Sequence, residues 1–321
     1  MQTKRLGRTG PEVPPIVLGG NVFGWTLNEA DSLHQLDRAV EIGLTFIDTA
    51  DVYSRWAQGH TGGESETILG KWFQKSNSRS KVILATKVGM DMGDGKQGLN
   101  PKYIRQAVED SLRRLQTDYI DLYQAHSDDQ ATPLEETLGA FDALIKAGKV
   151  RFIGASNYSG ARLAESLEIS ARNGLAAYTS LQPHYNLVER AKFESDLLPV
   201  VQKYDIGVIP YFSLAAGFLT GKYRKGGDTE GKARGQMVQK YLNERGFAVV
   251  DALDEVAKAH GATPGQVALA WLLHKPGVTA PIASATNDRQ LEDLVAAAEL
   301  KLDPAAIRRL DEASAPVSQP A

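Results

Sequence analysis

The chain of 321 residues contains no cysteine. This absence excludes disulfide bonds, thiolate metal ligands and thiol nucleophiles, and it leaves the redox compartment undetermined. Neither sign of charge is in large excess, because 36 Lys and Arg residues face 39 Asp and Glu residues, a net charge of −3. Such a balance does not favour nucleic acid or an anionic membrane surface as a partner.

Long apolar runs are also missing. No segment approaches the length of a membrane span, and the N-terminal residues MQTKRLGRTGPEVPPIVLGG lack the apolar stretch of a signal peptide. We therefore expect a cytoplasmic location and no membrane partner.

Two further absences concern motifs. The segment GGNVFGW (19–25) lacks the G-x-G-x-x-G pattern that usually follows the first strand of a doubly wound dinucleotide-binding sheet. Only six histidines occur. His34 falls within a helical pattern, and His260 and His274 stand at helix ends, so a metal site built from histidines at strand ends is not indicated.

Eight short apolar runs alternate with longer amphipathic segments along the chain. Residues 101–115 show the helical spacing, with Ile104, Val108, Leu112 and Leu115 on one face. The candidate strands are residues 15–19, 45–49, 81–87, 119–124, 150–156, 178–182, 206–211 and 278–283. Eight strand–helix units without a polar linker predict a parallel sheet closed on itself, a single (β/α)8 barrel domain over residues 1–321.

Four helix starts are marked by a capping residue directly before proline, at Asn100, Thr132, Thr263 and Asp303. Two of them carry Glu or Gln three residues later, the spacing of a capping box. One long segment, 212–244, shows no clear period and holds six glycines with several Lys and Arg residues. Loops of that length inside a compact domain are usually functional or disordered.

Polar side chains follow the predicted strands at the ends where such a barrel carries its active groups. FIDTADVYS (46–54) brings Asp48, Asp51 and Tyr53 directly after the second strand, Lys87 ends the third, and His126 follows the fourth. The next three strands end in Ser156, Asn157, Gln182 and Tyr211. A lysine at the end of a buried strand is costly without a partner, which Asp48 on the neighbouring strand can supply.

Three chemistries could use these groups. A glycosidase needs two carboxylates flanking a cleft, whereas Asp48 and Asp51 lie close together on one strand end. Metal-assisted hydrolysis lacks its histidines. Proton donation to a carbonyl group during hydride transfer fits better, with Tyr53 as the acid and Lys87 as the cation that perturbs its pKa. His126 can then hydrogen-bond the developing alkoxide.

Each of these residues also has a structural interpretation when taken alone. Tyr53 and His126 could be packing residues, Asp51 could cap a turn, and Asp48 with Lys87 could form a structural ion pair. Their combination on one face of the predicted sheet favours the catalytic interpretation.

The motifs that contain these residues strongly resemble those of the aldo-keto reductases. In chain order they are FIDTADVYS…GESETILG, ILATKVG, DLYQAH, IGASNYS, LQPHYNL and VIPYFSLAAGFLTGKY. Their order and spacing match nearly the whole chain, and the chain resembles a bacterial member of the branch that includes potassium-channel β subunits. The resemblance implies a barrel without a Rossmann domain, NADP(H) extended across the barrel mouth, and reversible reduction of a small carbonyl substrate.

The resemblance also implies roles for single residues. It places the catalytic tetrad on Asp48, Tyr53, Lys87 and His126, with Tyr53 as general acid, and it places Asp51 near the cofactor ribose. The positions implied to contact the cofactor are Asn21, Asp48, Ser156, Asn157, Gln182, Tyr211, Phe212, Ser213, Leu214, Gly217, Lys222, Arg234, Ser284, Thr286, Gln290 and Asp293. By this resemblance, Ser156, Asn157 and Gln182 would hold the nicotinamide carboxamide, and Tyr211 would stack on the nicotinamide ring. The pyrophosphate loop would be formed by Phe212, Ser213, Leu214 and Gly217, and the adenosine site by Ser284, Thr286, Gln290 and Asp293. Several relatives have Arg or Lys at the position of Thr286, and Lys222 and Arg234 could replace that contact to the 2′-phosphate.

The loop at 54–63 is longer than the usual link and offers Trp56 over the pocket, near Trp25, so both indoles are candidate substrate contacts. Two functions remain open at this point. One is an NADPH-dependent reductase of aldehydes, ketones or keto-sugars. The other is a cofactor-sensing partner protein similar to the channel β subunits.

Overall fold

The computed structural model describes residues 1–226 and 235–316. The strands within these ranges are β1 (Lys4–Arg5), β2 (Glu12–Val13), β3 (Val17–Gly19), β4 (Phe46–Asp48), β5 (Ile83–Val88), β6 (Ile120–Ala125), β7 (Val150–Ser156), β8 (Tyr178–Gln182), β9 (Gly207–Val208) and β10 (Ile282–Ala283). The α-helices are α1 (Glu29–Glu41), α2 (Glu64–Ser76), α3 (Pro101–Leu115), α4 (Leu134–Lys146), α5 (Gly160–Asn173), α6 (Leu198–Tyr204), α7 (Gly235–Val238), α8 (Glu244–His260), α9 (Pro264–Leu273), α10 (Asp288–Glu299) and α11 (Pro304–Ala313). A π-helical turn, Phe193–Leu197, leads into α6.

Eight of the strands pair in parallel in the order β10-β3-β4-β5-β6-β7-β8-β9. The two ends of this order are also connected. Val208 and Val278 form a parallel bridge, Thr279 N donates to Val208 O at 2.8 Å, and Ile282 N donates to Pro210 O at 2.9 Å. The sheet is therefore curled, and these contacts join the segments beside its two edge strands.

The core has two layers that follow from the two-residue repeat of a strand. One set of strand side chains faces the helices and packs with their apolar faces, as Leu84 of β5 does. The other set packs inside the curled sheet and includes Phe46, Ala85 and Leu122. All four side chains are fully buried.

The β1–β2 hairpin, which the sequence pattern did not predict, closes one end of this interior. Leu6 and Val13 are fully buried and pack with the interior strand side chains. Arg8 N donates to Asp205 O at 2.9 Å, just before β9. The hairpin therefore lies at the end where the parallel strands begin. Its strands are two residues each, too short to show an alternating pattern.

The predicted strands are all present, but two are much shorter than expected. The candidate 206–211 contains only Gly207–Val208, and 278–283 contains only Ile282–Ala283. Pro210 and Pro281 interrupt these segments, because proline has no N–H to donate to the sheet.

Three of the four predicted helix caps are confirmed. Asn100 and Asp303 accept backbone hydrogen bonds, and Thr263 forms a capping box with Gln266. The prediction at Thr132 was wrong. Helix α4 begins at Leu134 without a side-chain cap, because the Thr132 hydroxyl donates to Asp129 Oδ2 at 2.8 Å instead.

Short elements occupy the described part of the long segment 212–244. Ala215–Thr220 and Gln239–Tyr241 are 3-10 helices on either side of α7. Arg234, a predicted cofactor contact, lies outside the described residues. None of the helices in the described ranges has both the length and the hydropathy to span a membrane.

Candidate active site

Three neighbouring strands bring the predicted tetrad together. Asp48 is the last residue of β4 and Lys87 the fifth of β5, and His126 follows β6 directly. Asp48 is two residues after the interior Phe46, and Lys87 is two residues after the interior Ala85, so both side chains point inward. Tyr53 lies in the loop after β4. These groups therefore meet where the parallel strands end.

Lys87 is at the centre of the hydrogen bonds in this cluster. Its Nζ lies 2.6 Å from Asp48 Oδ2, 2.7 Å from the Tyr53 hydroxyl and 2.9 Å from Thr49 O. The Tyr53 hydroxyl in turn donates to Asp48 Oδ2 at 3.3 Å. Lys87 is 0% exposed and Asp48 is 1% exposed. The three donors of the ammonium group are thus satisfied, as a buried cation requires.

The surroundings shift the pKa values of Tyr53 and Lys87. Burial raises the pKa of the Tyr53 phenol well above its usual range, and the Asp48 charge raises it further. Burial lowers the pKa of Lys87, and Asp48 opposes that effect. We expected Lys87 to bring the phenol pKa toward neutrality, but desolvation and Asp48 outweigh its influence. The phenol is therefore protonated at neutral pH, the state that a proton donor needs.

His126 lies beside the phenol. Its ring centroid is 6.1 Å from that of Tyr53. Burial, and then the charge of Lys87, lower the pKa of His126 well below its usual range, so the imidazole is neutral at neutral pH. A neutral imidazole still carries one N–H donor. It can therefore hydrogen-bond an oxygen atom near Tyr53 without adding a full positive charge.

Two glutamines hold the other oxygen of Asp48. Gln124 Nε2 donates to Asp48 Oδ1 at 3.1 Å, and Gln182 Nε2 donates to the same atom at 2.9 Å. Both amides are buried. Gln124 was not among the predicted site residues, although a polar residue two positions after the interior Leu122 was a signal. Gln182 was predicted to contact the cofactor, and its amide nitrogen also donates to Asp48.

Several of the predicted nicotinamide contacts form one hydrogen-bonded group. Asn157 Nδ2 donates to His126 O at 2.9 Å and to Ser156 Oγ at 3.1 Å, and the Tyr211 hydroxyl donates to Asn157 Oδ1 at 2.8 Å. The imidazole of His184 stacks on the Tyr211 ring with centroids 5.2 Å apart. The Tyr211 ring is therefore fixed at its hydroxyl and on one face.

The loop after β9 has an unusual backbone. Phe212, Ala215 and Ala216 have φ angles of 51°, 48° and 56°, values uncommon for residues other than glycine. Gly217 follows with φ 91°, and a Cβ atom there would lie 2.7 Å from Lys222 Nζ. Such left-handed turns make concave groups of backbone N–H that bind anions. The predicted pyrophosphate loop thus has several left-handed residues and a cation beside it, while Ala215 N and Gly217 N already donate to Phe212 O and Leu214 O.

The remaining predicted cofactor residues lie around β3 and β10. Ser284 Oγ donates to Asn21 Oδ1 at 2.6 Å. Thr286 N donates to Gln290 Oε1 at 2.8 Å at the start of α10. Asp293 accepts a hydrogen bond of 2.7 Å from Gln266, which forms the capping box of α9 with Thr263. Asp293 therefore already has a partner within the protein.

The structure buries Asp51, whose place near a ribose stays a prediction. Its carboxyl group is 1% exposed, and neither oxygen has a hydrogen-bond partner among the described residues. Glu66 of α2 and Arg114 of α3 interact with it electrostatically. Burial, together with Glu66, raises the pKa of Asp51 to about 8. The sequence could not show this, because the packing of α2 and α3 buries the group.

Two indoles adjoin the phenol, as expected. Trp25 and Trp56 meet edge to face with centroids 5.4 Å apart, and Trp56 lies 5.9 Å from Tyr53. Trp56 is 51% exposed, so it borders open space beside the Tyr53 ring.

Comparison with known proteins shows which family this chain belongs to. A family model described as "Aldo/keto reductase family" matches residues 15–315. The chain belongs to the aldo/keto reductase family. Among its relatives is "Uncharacterized oxidoreductase YrpG" of Bacillus subtilis (strain 168), 36% identical over 320 residues, covering 97% of this chain and 95% of that protein.

Two further relatives of this aldo/keto reductase carry different descriptions. "Putative voltage-gated potassium channel subunit beta" of Schizosaccharomyces pombe is 34% identical over 324 residues, covering 96% of this chain and 91% of that protein. "Versiconal hemiacetal acetate reductase" of Aspergillus parasiticus is 32% identical over 345 residues, covering 98% of each. The suspected family and branch are thereby confirmed.

Membership in the aldo/keto reductase family implies a (β/α)8 barrel, an oxidoreductase activity on carbonyl groups and a nicotinamide cofactor. Within the described ranges, no group of three His, Asp or Glu side chains is arranged to hold a metal ion.

Proposed function

We propose that the chain is a single (β/α)8 barrel domain that reduces aldehydes or ketones to alcohols with NADPH. Tyr53 is the general acid in this proposal. The observation that carries it is the Tyr53 hydroxyl, which is held between Lys87 Nζ at 2.7 Å and Asp48 Oδ2 at 3.3 Å and is protonated at neutral pH.

NADPH, when bound, would supply the hydride. The side chains of the protein supply the proton and the electrostatic stabilisation of the negative charge. Tyr53 donates its proton to the carbonyl oxygen as negative charge develops there. The Lys87 ammonium group stabilises the phenolate that remains, and Asp48 keeps Lys87 charged and in place. The neutral His126 donates a second hydrogen bond to the same oxygen.

The residues around the open end suit a nicotinamide dinucleotide. Ser156, Asn157 and Gln182 offer amide and hydroxyl groups of the kind that hold a carboxamide, and the fixed ring of Tyr211 offers a flat surface. The left-handed residues Phe212, Ala215, Ala216 and Gly217 bend the loop into the kind of turn that suits a pyrophosphate. Ser213 and Leu214 belong to the same loop. These assignments stay proposals, as do those of Asn21, Ser284, Thr286, Gln290 and Asp293.

The proposed preference for NADPH over NADH rests on two cations in the segment after β9. A 2′-phosphate needs fixed positive charge, whereas a free ribose hydroxyl favours a carboxylate acceptor. Lys222 lies beside Gly217, and Arg234 follows in the same segment. Thr286 can add one hydrogen bond. We therefore propose a moderate preference for NADPH.

A second function is favoured by the relatives described as potassium-channel β subunits. In that case the same site would sense the redox state of a bound nicotinamide while the protein acts on a partner. The tetrad geometry is compatible with both functions. The rate of carbonyl reduction therefore distinguishes the reductase from the sensor.

A steady-state assay with NADPH and 4-nitrobenzaldehyde tests the proposal, with loss of NADPH absorbance as the readout. A reductase should turn over on the scale of about 1 s⁻¹ or faster, as most enzymes do. Turnover below about one per minute, combined with tight NADPH binding, would favour the sensor. Absence of NADPH binding would contradict both functions.

A further inference from the structure

Ser54 directly follows the proposed proton donor and has an unusual backbone conformation. Its φ angle is 73°, in the left-handed region that residues other than glycine rarely occupy. Its side chain is fully buried, and its Oγ donates to Phe23 O at 3.1 Å. Such conformations persist where the surrounding structure fixes them, and they are concentrated at functional sites.

The conformation of Ser54 turns the chain back on itself. Arg55 N donates to Val52 O at 3.1 Å, and Ala57 N donates to Ser54 O at 2.9 Å. The rings of Tyr53 and Trp56, on either side of Ser54 in the chain, lie 5.9 Å apart.

The bond from Ser54 to Phe23 joins this turn to a second loop. Phe23 belongs to the loop after β3, which also carries Trp25. Trp25 and Trp56 stand edge to face, with an interplanar angle of 86°. One buried hydrogen bond therefore connects the two loops whose indoles meet beside the phenol. We call Trp25 and Trp56 the indole pair.

We propose that Ser54 is a positioning residue that sets the indole pair against Tyr53, and that it thereby selects flat aromatic carbonyl compounds over small aliphatic ones. This inference rests on the proposed carbonyl reduction. Aromatic rings gain attraction from well-placed neighbouring rings in offset or edge-to-face contact. A short alkyl chain gains much less from the same surface.

Three variants test the role of Ser54. Ser54→Ala removes the hydroxyl and keeps a Cβ in the left-handed conformation. Ser54→Gly removes the hydroxyl but accepts the positive φ, so it should fold even if the alanine variant does not. Ser166→Ala is the control, because Ser166 is equally buried and its Oγ donates to a backbone carbonyl, Arg162 O, at 2.8 Å within α5.

The first measurement is the KM and kcat of each variant with NADPH and either 4-nitrobenzaldehyde or butanal. Loss of one hydrogen bond corresponds to about a fivefold change in an equilibrium constant. We expect both Ser54 variants to raise KM for the aromatic aldehyde by about that factor, with little change for butanal or in kcat. An equal rise in KM for both aldehydes, or a loss confined to kcat, would overturn the proposed selectivity.

The second measurement is independent of catalysis. The near-ultraviolet circular dichroism of the ligand-free protein should show a weaker indole signal in both Ser54 variants and no change in Ser166→Ala. An unchanged signal in the Ser54 variants would refute the positioning role. If the wild type reduced neither aldehyde, the proposed function would fail by itself. The spectra, with quenching of tryptophan fluorescence by 4-nitrobenzaldehyde, would then still decide whether Ser54 sets the indole pair.

Discussion

The ammonium group of Lys87 lies 2.6 Å from Asp48 Oδ2, and both side chains are almost completely shielded from solvent. Breaking a buried ion pair by removing one partner leaves an uncompensated charge. The two residues should therefore behave as one unit toward Tyr53, which contacts both.

The first prediction concerns the proton donor. Tyr53→Phe keeps the ring beside Trp56 and removes only the hydroxyl. Because a general acid contributes about 10² to 10⁴ in rate, kcat should fall by at least about 10². The Kd of NADPH, measured by fluorescence, should stay close to that of the wild type. A variant that kept a tenth of the wild-type kcat would remove Tyr53 from this role.

The second prediction concerns coupling between Lys87 and Asp48. Lys87→Met should shift the pH dependence of reduction to a higher apparent pKa, because the phenol loses its stabilising cation. Asp48→Asn should lower kcat less, since Asp48 acts through Lys87. In a double-mutant cycle the combined loss should be smaller than the sum of the single losses. Simple additivity would show that the two residues act independently.

The third prediction concerns the glutamines that hold Asp48 Oδ1. Gln124→Leu removes one of two amide donors to a buried carboxylate. A hydrogen bond to a charged group contributes about 1.5–3 kcal/mol, so we expect kcat to fall by roughly tenfold. Gln106→Leu, which alters an exposed glutamine of α3 paired with Asp110, is the matched control. Equal activity of the Gln124 and Gln106 variants would contradict a role for the amide.

The fourth prediction concerns the stability of the protein against pH. The pKa of Asp51 is about 8 in the folded state, against 3.8 for the ordinary group. The folded state therefore binds more protons than the unfolded state between these values, so the free energy of unfolding should fall as pH rises through that window. Asp51→Asn carries no charge and should lack this fall.

The Asp51→Asn variant should consequently unfold at a higher denaturant concentration than the wild type at pH 9, with a smaller difference near pH 4. Urea unfolding at both values measures this effect. Asp91→Asn provides the control, because the Asp91 side chain is 59% exposed. A gain in stability that was the same at both pH values would show that Asp51 is not a buried, titrating group.

The fifth prediction concerns cofactor choice. Lys222→Ala combined with Arg234→Ala should raise the Kd of NADPH and leave that of NADH nearly unchanged. The preference of the wild type for NADPH should also weaken as salt rises, because salt screens exposed charges. Arg224→Ala is the control, since Arg224 Nη2 donates to Asp254 Oδ1 at 3.1 Å. Equal losses for both cofactors would mean that the two cations shape the loop without contacting the 2′-phosphate.

The sequence was informative where a strand decides the position of a side chain. The two-residue repeat places Asp48 and Lys87 inside the sheet, and parallel pairing of β4 with β5 brings them together. The sequence was uninformative where tertiary packing decides the burial, the pKa or the backbone conformation of a residue. The burial of Asp51 depends on two helices, and the raised pKa of Tyr53 depends on how completely the surroundings exclude water. The conformation of Ser54 depends on a carbonyl group 31 residues earlier in the chain.

Leu6 and Val13 cover the interior of the sheet at the end opposite Tyr53. Lys87 is itself shielded from solvent and makes its three hydrogen bonds to protein atoms. In the proposed reaction, a proton from solvent would therefore return to Tyr53 through the opening that admits the carbonyl compound. A molecule that stays bound across this opening would also delay that return, so the rate of its release would limit the reprotonation of Tyr53.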